Sequence, residues 1–81
     1  MRVRVRLFAS LREAVGQGEV ELELPEGATA EGAWERLVRD HPPLADRRAR
    51  LTAAVNRSYA AFDTPLRDGD ELVFVPPVSG G

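Results

Sequence analysis

The sequence predicts an α+β fold in which one main helix packs against a mixed sheet of about five strands. Two segments alternate apolar and charged residues with the period of a β-strand. A later segment spaces its apolar residues as one face of a helix. With 81 residues the chain has room for one domain and one small core. One helix lying across one sheet is the simplest two-layer arrangement of these elements.

The first two strands are predicted from strict alternation. Residues 2–8 (Arg-Val-Arg-Val-Arg-Leu-Phe) and residues 19–24 (Glu-Val-Glu-Leu-Glu-Leu) each place apolar side chains on one face. If the two strands pair antiparallel, a row of arginines faces a row of glutamates, and this charge pattern specifies the register. Between them, residues 10–18 are expected to form a short helical turn around Leu11.

The main helix is predicted over residues 30–40. Thr29 is placed to cap its first turn, and Trp34 belongs to the buried face, whose apolar residues follow the i, i+3, i+4, i+7 spacing. His41 precedes two prolines, which end the helix because proline disfavours helical backbone in the residue before it. Residues 44–51 are expected to be irregular or loosely helical.

The rest of the chain is predicted to add three strands separated by turns. In chain order they are Thr52–Val55, the short segment Ser58–Phe62 and Glu71–Val75. Asn56 and Arg57 are expected to form the first turn, and Gly69 is placed for a positive φ in the loop before the last strand. That last strand is apolar in both registers, which is typical of a strand covered on both sides or exposing a binding patch.

Composition narrows the class of function. A net charge of −2 lacks the basic excess typical of nucleic-acid binding, and no apolar run is long enough for a membrane helix. There is no cysteine, so neither disulfides nor thiol chemistry are available. Asp68 and Asp70 flank Gly69 but do not make a metal site without further ligands. We therefore expect a cytoplasmic protein with no metal site and no nucleic-acid or membrane partner.

The sequence closes with Gly80-Gly81, the two least hindered residues available. Since glycine has no Cβ, such a tail can thread a narrow passage and leave its carboxylate open to attack. We expect residues 1–75 to form the domain and residues 76–81 a mobile tail, with Pro76 and Pro77 holding its first part extended. The ending suggests a carrier whose reactive group is the α-carboxylate of Gly81.

An exposed apolar patch is expected near this tail. Phe8 interrupts the outward row of arginines, and it could meet Val75 if the first and last strands are neighbours. Such patches often mark partner surfaces, and we favour this interpretation over the alternative that Phe8 and Val75 lie at the edge of the core or under a loop. Trp34 is interpreted as a core residue and His41 as a helix-end residue. The basic run 46–50 is interpreted as a solvated face, because no aromatic residues interrupt it.

Several segments resemble the small subunit of molybdopterin synthase. They are Leu51–Asn56, Pro65–Leu72 and Val75–Gly81, preceded by Leu7–Ala9 and Leu11–Glu13. The Asp-Gly-Asp turn and the Gly-Gly end are shared with thiamin-pathway and other ubiquitin-like sulfur carriers, and the Pro-Pro-Val step favours molybdopterin synthase. The β-grasp fold of ubiquitin-like proteins is also the economical fold for this order of elements.

The resemblance implies a non-catalytic carrier without a permanently bound cofactor. A ubiquitin-activating-like enzyme would use ATP to adenylate Gly81, with Gly80 permitting close approach, and the adenylate would become a thiocarboxylate. The large subunit would then accept the tail and deliver the sulfur to cyclic pyranopterin monophosphate, in a hetero-tetramer with the carrier. The implied interface comprises Phe8, Tyr59, Val75, Pro76, Pro77, Val78 and Ser79.

Tyr59 departs from the resemblance, because an aliphatic residue is expected more often at that interface position. Two other functions also remain open at this point. The same carrier chemistry could supply sulfur to thiamin or to tRNA. Alternatively, the domain could be a non-covalent ubiquitin-like interaction module or a protein modifier, whose C-terminus either stays a carboxylate or becomes joined to lysines of other proteins.

Overall fold

The computed structural model describes residues 1–77, and Val78 to Gly81 lie outside the described residues. In chain order the elements are β1 (Arg2–Leu7), α1 (Ala9–Val15), β2 (Glu19–Glu23), α2 (Ala30–Asp40), a 3-10 turn (Pro42–Leu44), β3 (Thr52–Val55), β4 (Ser58–Ala60) and β5 (Glu71–Val75). The predicted α+β class, the five strands and the main helix are confirmed. The fourth strand is shorter than predicted, since it ends at Ala60.

The first and last strands lie side by side in the middle of the sheet. The strand order is β2-β1-β5-β3-β4, and β1 pairs with β5 in parallel while the other pairs are antiparallel. Leu7 of β1 is opposite Phe74 of β5, and Thr52 of β3 is opposite Val75. The carboxyl ends of β1 and β5 therefore meet at one end of the sheet.

The charge pattern sets the register of β1 and β2 as predicted. Arg2, Arg4 and Arg6 are opposite Glu23, Glu21 and Glu19, respectively. Arg2 Nε lies 3.4 Å from a carboxylate oxygen of Glu23, but both side chains are well exposed. Exposed ion pairs add little free energy, so the row mainly selects the register that buries the alternating apolar residues.

The core lies between the sheet and the buried face of α2. Trp34 packs edge-on against Phe74 with ring centroids 5.2 Å apart, and Phe62 stacks on the same ring at 5.9 Å. The Thr29 side-chain oxygen accepts a hydrogen bond from the Gly32 N–H at 3.2 Å, which is the predicted cap of α2. These contacts confirm Trp34 as a core residue. No helix within residues 1–77 has the length and apolar character needed to cross a membrane.

The Asp-Gly-Asp turn ties three parts of the sheet together. Gly69 has the predicted positive φ, 86°. Asp68 accepts a hydrogen bond from the Arg2 N–H at 2.7 Å, while Asp70 accepts from the Arg67 N–H at 2.8 Å and from the Asn56 side-chain amide at 2.9 Å. The two carboxylates thus hold the start of β5 against the start of β1 and the β3–β4 turn.

Arg48 corrects one prediction from the sequence. It lies in the basic run interpreted as a solvated face, but its guanidinium lies 3.4 Å from the centroid of the Phe62 ring. It also donates hydrogen bonds to the Glu31 carboxylate, the shortest at 2.8 Å. Arg48 therefore joins the loop after α2 to the first turn of that helix and to the aromatic core.

Arg57 offers a test of backbone strain. Asn56 and Arg57 form the two-residue β3–β4 turn, with φ values of 49° and 71°, respectively. Turns with two positive φ values favour the residue pair Asn-Gly. We expect Arg57→Gly to stabilise the fold by about 0.5–1 kcal/mol. Urea unfolding measures this change. Arg57→Ala is the matched control, because it removes the same side chain but keeps the strain, and an equal gain from both variants would contradict the explanation.

The Glu31–Arg48 pair predicts a pH dependence. Hydrogen bonds from Arg48 lower the pKa of Glu31, against a smaller opposing effect of burial. A lowered pKa in the folded state means that the pair stabilises the fold above the pKa of the unfolded chain. That stabilisation is lost as the pH falls through the lower, folded value.

Glu31→Gln should therefore destabilise the protein at neutral pH and converge with the unmodified protein below the ordinary carboxyl range of about 4–5. The expected cost is about 1 kcal/mol or less, because both side chains are roughly two-fifths exposed. Urea unfolding across this pH range measures the difference. Glu35→Gln, an exposed change on the same helix, is the control. Equal losses for both variants at every pH would show that the pair contributes nothing.

Candidate partner interface

The sheet face that points away from α2 divides into two halves. In the register, one row crosses all five strands from Glu19 through Arg6, Val73 and Ala54 to Tyr59. The row is charged on β2 and β1 and uncharged on β5, β3 and β4. We define the apolar half of this outer face as the five residues Phe8, Ala54, Tyr59, Val73 and Val75. The charged half consists of Arg2, Arg4, Arg6, Glu19, Glu21, Glu23 and Glu71.

Phe8 and Val75 are brought to the same end of the sheet, as the sequence predicts. Leu7 and Phe74 are opposite one another in the parallel β1–β5 pair, so Phe8 and Val75 are the next residues of the two strands. The Phe8 side chain is 43% exposed, whereas Val75 is half-buried. The apolar half therefore begins where the chain leaves β5 toward its end.

The backbone around Phe8 differs from the predicted alternation. The first strand ends at Leu7, and Phe8 is the extended residue that precedes α1. Its carbonyl oxygen accepts hydrogen bonds from the Leu11 and Arg12 N–H groups at 3.1 and 3.4 Å. The ring nevertheless stays on the outer face, where the guanidinium of Arg6 lies 5.6 Å from its centroid.

Tyr59 is the most prominent side chain of the apolar half. It is 83% exposed and stands opposite Ala54, whose small side chain leaves the ring uncovered on that side. A shallow groove of about 470 Å³ adjoins it, lined by Leu51, Thr52, Ala53, Ala60, Ala61 and Phe62. Sequence reasoning did not identify Ala54 or the groove, although the outward position of Ala54 in β3 follows from strand alternation.

The start of the tail is fixed to the neighbouring strand. The Thr52 hydroxyl donates a hydrogen bond to the Val75 carbonyl at 3.3 Å. Pro76 is half-buried and Pro77 is exposed. The remaining predicted site residues, Val78, Ser79, Gly80 and Gly81, lie outside the described residues.

The apolar half is suited to binding and offers little for catalysis. Tyr59 is its one titratable residue, and an acid–base pair needs a second group within hydrogen-bond reach. Among residues 1–77, no group of three or more metal-ligating side chains is close enough to hold an ion. His41 lies in neither half of the outer face, at the end of α2.

Comparison with known proteins identifies the family. The molybdopterin synthase sulfur carrier subunit of Escherichia coli (strain K12) is 41% identical over 83 residues, covering 98% of this chain and 99% of that protein. The protein of the same name from Arabidopsis thaliana is 33% identical, covering 100% and 84%. These matches confirm the resemblance predicted from the sequence.

Solved structures of related proteins share this fold. The crystal structure of SAMP1, the small archaeal modifier protein 1 from Haloferax volcanii, superposes with a TM-score of 0.91 at 32% identity and covers 100% of both chains. This confirms the ubiquitin-like β-grasp fold. The model of the ThiS family matches residues 5–81, which is nearly the whole sequence. The chain therefore belongs to the ThiS family.

Proposed function

We propose that this chain is the sulfur-carrier subunit of a molybdopterin synthase and that Gly81 carries the sulfur. The two relatives from Escherichia coli and Arabidopsis thaliana bear that name, and the family match runs through to Gly81. The observation that carries the proposal is the position of the apolar half of the outer face. It adjoins the end of β5, so a partner bound there would receive the residues that follow.

The proposed chemistry begins with activation of the Gly81 carboxylate. A carboxylate oxygen attacks the α-phosphorus of ATP and pyrophosphate leaves, which forms an acyl adenylate. Hydrosulfide then attacks the acyl carbon, AMP leaves and a proton is lost, which forms the thiocarboxylate. The ubiquitin-activating-like partner enzyme would supply the catalytic groups for both steps, because two glycines offer none.

The thiocarboxylate would then serve as a sulfur nucleophile. It is ionised at neutral pH, so it needs no general base from the carrier. In the active site of the large subunit its sulfur would attack a carbon of cyclic pyranopterin monophosphate, where a carbon–sulfur bond replaces a carbon–oxygen bond and the oxygen leaves as water or on the phosphate. Cleavage of the acyl–sulfur bond by water returns Gly81 as a carboxylate. Two carriers acting in succession would supply the two sulfurs of the dithiolene, which later holds molybdenum or tungsten.

The apolar half of the outer face would be the docking surface for the large subunit. Phe8 and Tyr59 supply exposed aromatic rings, the residue type that dominates many interfaces, and Val75 leads into the tail. Pro76, Pro77, Val78 and Ser79 would continue the interface toward the active site. Pairing of two such heterodimers would give the hetero-tetramer.

A second candidate function is that of a protein modifier, and the match to the archaeal modifier favours it. In that case a lysine amine of another protein would attack the activated Gly81 and form an isopeptide bond. Delivery of sulfur to thiamin or to tRNA is a third outcome, in which the chemistry at Gly81 is unchanged and only the acceptor differs.

The carrier proposal predicts a defined covalent change. After incubation with ATP, a sulfide source and the cognate activating enzyme, we expect the intact mass to rise by the difference between sulfur and oxygen. Deletion of Gly81 should abolish the gain, since the chain would then end at Gly80 and its carboxylate would fall one residue short of the activating enzyme's reactive centre. An unchanged mass with a demonstrably active enzyme would contradict the proposal. Covalent adducts on lysines of other proteins would favour the modifier.

The docking proposal predicts a loss of affinity from one substitution. We expect Phe8→Ala to weaken binding to the cognate large subunit by roughly tenfold or more, because truncation of an aromatic anchor commonly costs that much. Isothermal titration calorimetry with the carboxylate form of the carrier measures the affinity. Arg39→Ala, an exposed change on α2, is the control and should bind normally. Equal affinities for both variants would place the interface elsewhere.

A further inference from the structure

Ala9 has a backbone conformation that residues with a side chain rarely adopt. Its φ is 50°, within the left-handed region that favours glycine. Among residues 1–77, three other residues with side chains share a positive φ: Arg50, Asn56 and Arg57. The β3–β4 turn accounts for two of them. Ala9 instead lies directly after Phe8, where β1 ends and α1 begins.

The strained residue determines how Phe8 is held. Phe8 continues the extended backbone of β1, with φ −129° and ψ 159°, and the positive φ of Ala9 then turns the chain. The turn allows the Leu11 and Arg12 N–H groups to donate to the Phe8 carbonyl. The Phe8 backbone is thereby fixed from both sides, by the strand before it and by the helix after it. Its ring is directed onto the outer face beside Arg6.

Glycine would make the same turn without strain, but it would also permit many other conformations. Alanine is the smallest residue that restricts them. Alanine at position 9 therefore destabilises the fold slightly, but it restricts the backbone next to Phe8 and so keeps the orientation of the Phe8 ring fixed. Strain of this kind is found at binding and catalytic sites, where the surrounding structure maintains it.

We propose that Ala9 is a positioning residue, whose strained turn pre-orients Phe8 for docking of the large subunit. This inference rests on the proposed function for the identity of the partner. A side chain ordered before binding loses less conformational entropy when the complex forms. Replacement of Ala9 should therefore alter affinity without removing any contact.

The decisive variant is Ala9→Gly. We expect its urea midpoint to be no lower than that of the unmodified protein, because the strain is relieved. We expect its affinity for the large subunit to fall by about two- to fivefold, because Phe8 must then be ordered on binding. Arg50→Gly is the matched control, since it relieves the same kind of strain (φ 64°) in the loop before β3, outside the apolar half, and should leave affinity unchanged.

A synthetic chain with D-alanine at position 9 separates the effect of backbone strain from the effect of restricted backbone freedom. D-Alanine prefers a positive φ, so it removes the strain and keeps the turn rigid. We expect this chain to be more stable than the unmodified protein and to bind as tightly. Affinity as low as that of Ala9→Gly would overturn the proposal, and so would a lower urea midpoint for either variant.

Nuclear magnetic resonance of the isolated carrier gives a readout that does not depend on the partner. In the unmodified protein we expect one χ1 rotamer for Phe8 and a ring-current shift at Arg6. In Ala9→Gly both should be averaged, while the core signals stay unchanged. An ordered Phe8 ring in Ala9→Gly would overturn the positioning role. If Phe8→Ala leaves affinity intact, the docking proposal fails, and these spectra still decide the role of Ala9.

Discussion

The parallel pairing of β1 with β5 is the constraint on which the rest of the structure depends. It places the first and last strands side by side at the centre of the sheet, flanked by β2 on one side and β3 on the other. It also places Phe8 next to Val75, although 66 residues separate them in the sequence. The same pairing buries Leu7 and Phe74 against α2, so the core and the docking surface share one register.

The outer face shows how one sheet serves two purposes. On β1 and β2, opposed arginines and glutamates define the register and keep that half of the face hydrated. On β3, β4 and the part of β5 that follows Glu71, small and apolar side chains leave a surface that water covers poorly. The boundary runs between Arg6 and Val73, which are neighbours in the register. If a partner binds the apolar half, as proposed, it binds at the end of the sheet where the chain leaves β5.

Most of the fold could be predicted because its signals are local. Alternation predicted β1 and β2 together with their register, and the helical spacing around Trp34 predicted α2 and its buried face. The role of Arg48 could not be predicted in this way. Its carboxylate partner is 17 residues away and its aromatic partner is Phe62, so the contacts exist only once the loop, helix and sheet are assembled.

The strained turn at Ala9 could not be predicted from the sequence either, because alanine gives no indication of a positive φ. The candidate site was predicted as a set of residues, and the structure adds their arrangement. Phe8 and Val75 lie at the same end of the sheet, Tyr59 lies across Ala54, and the start of the tail is held by Thr52. The sequence alone led to the proposal that Gly80 and Gly81 are the reactive end, whereas the surface formed by Phe8, Val75 and Tyr59 is evident only in the assembled sheet.

The central position of β5 also has a mechanical consequence. A pull on the chain beyond Val75 acts along the strand axis, so it loads the hydrogen bonds to β1 and β3 in shear and all at once. A strand at the edge of the sheet could instead be peeled away one bond at a time. An enzyme that gripped the tail, as proposed above, could therefore pull on it while the hydrogen bonds of the sheet behind it stayed intact.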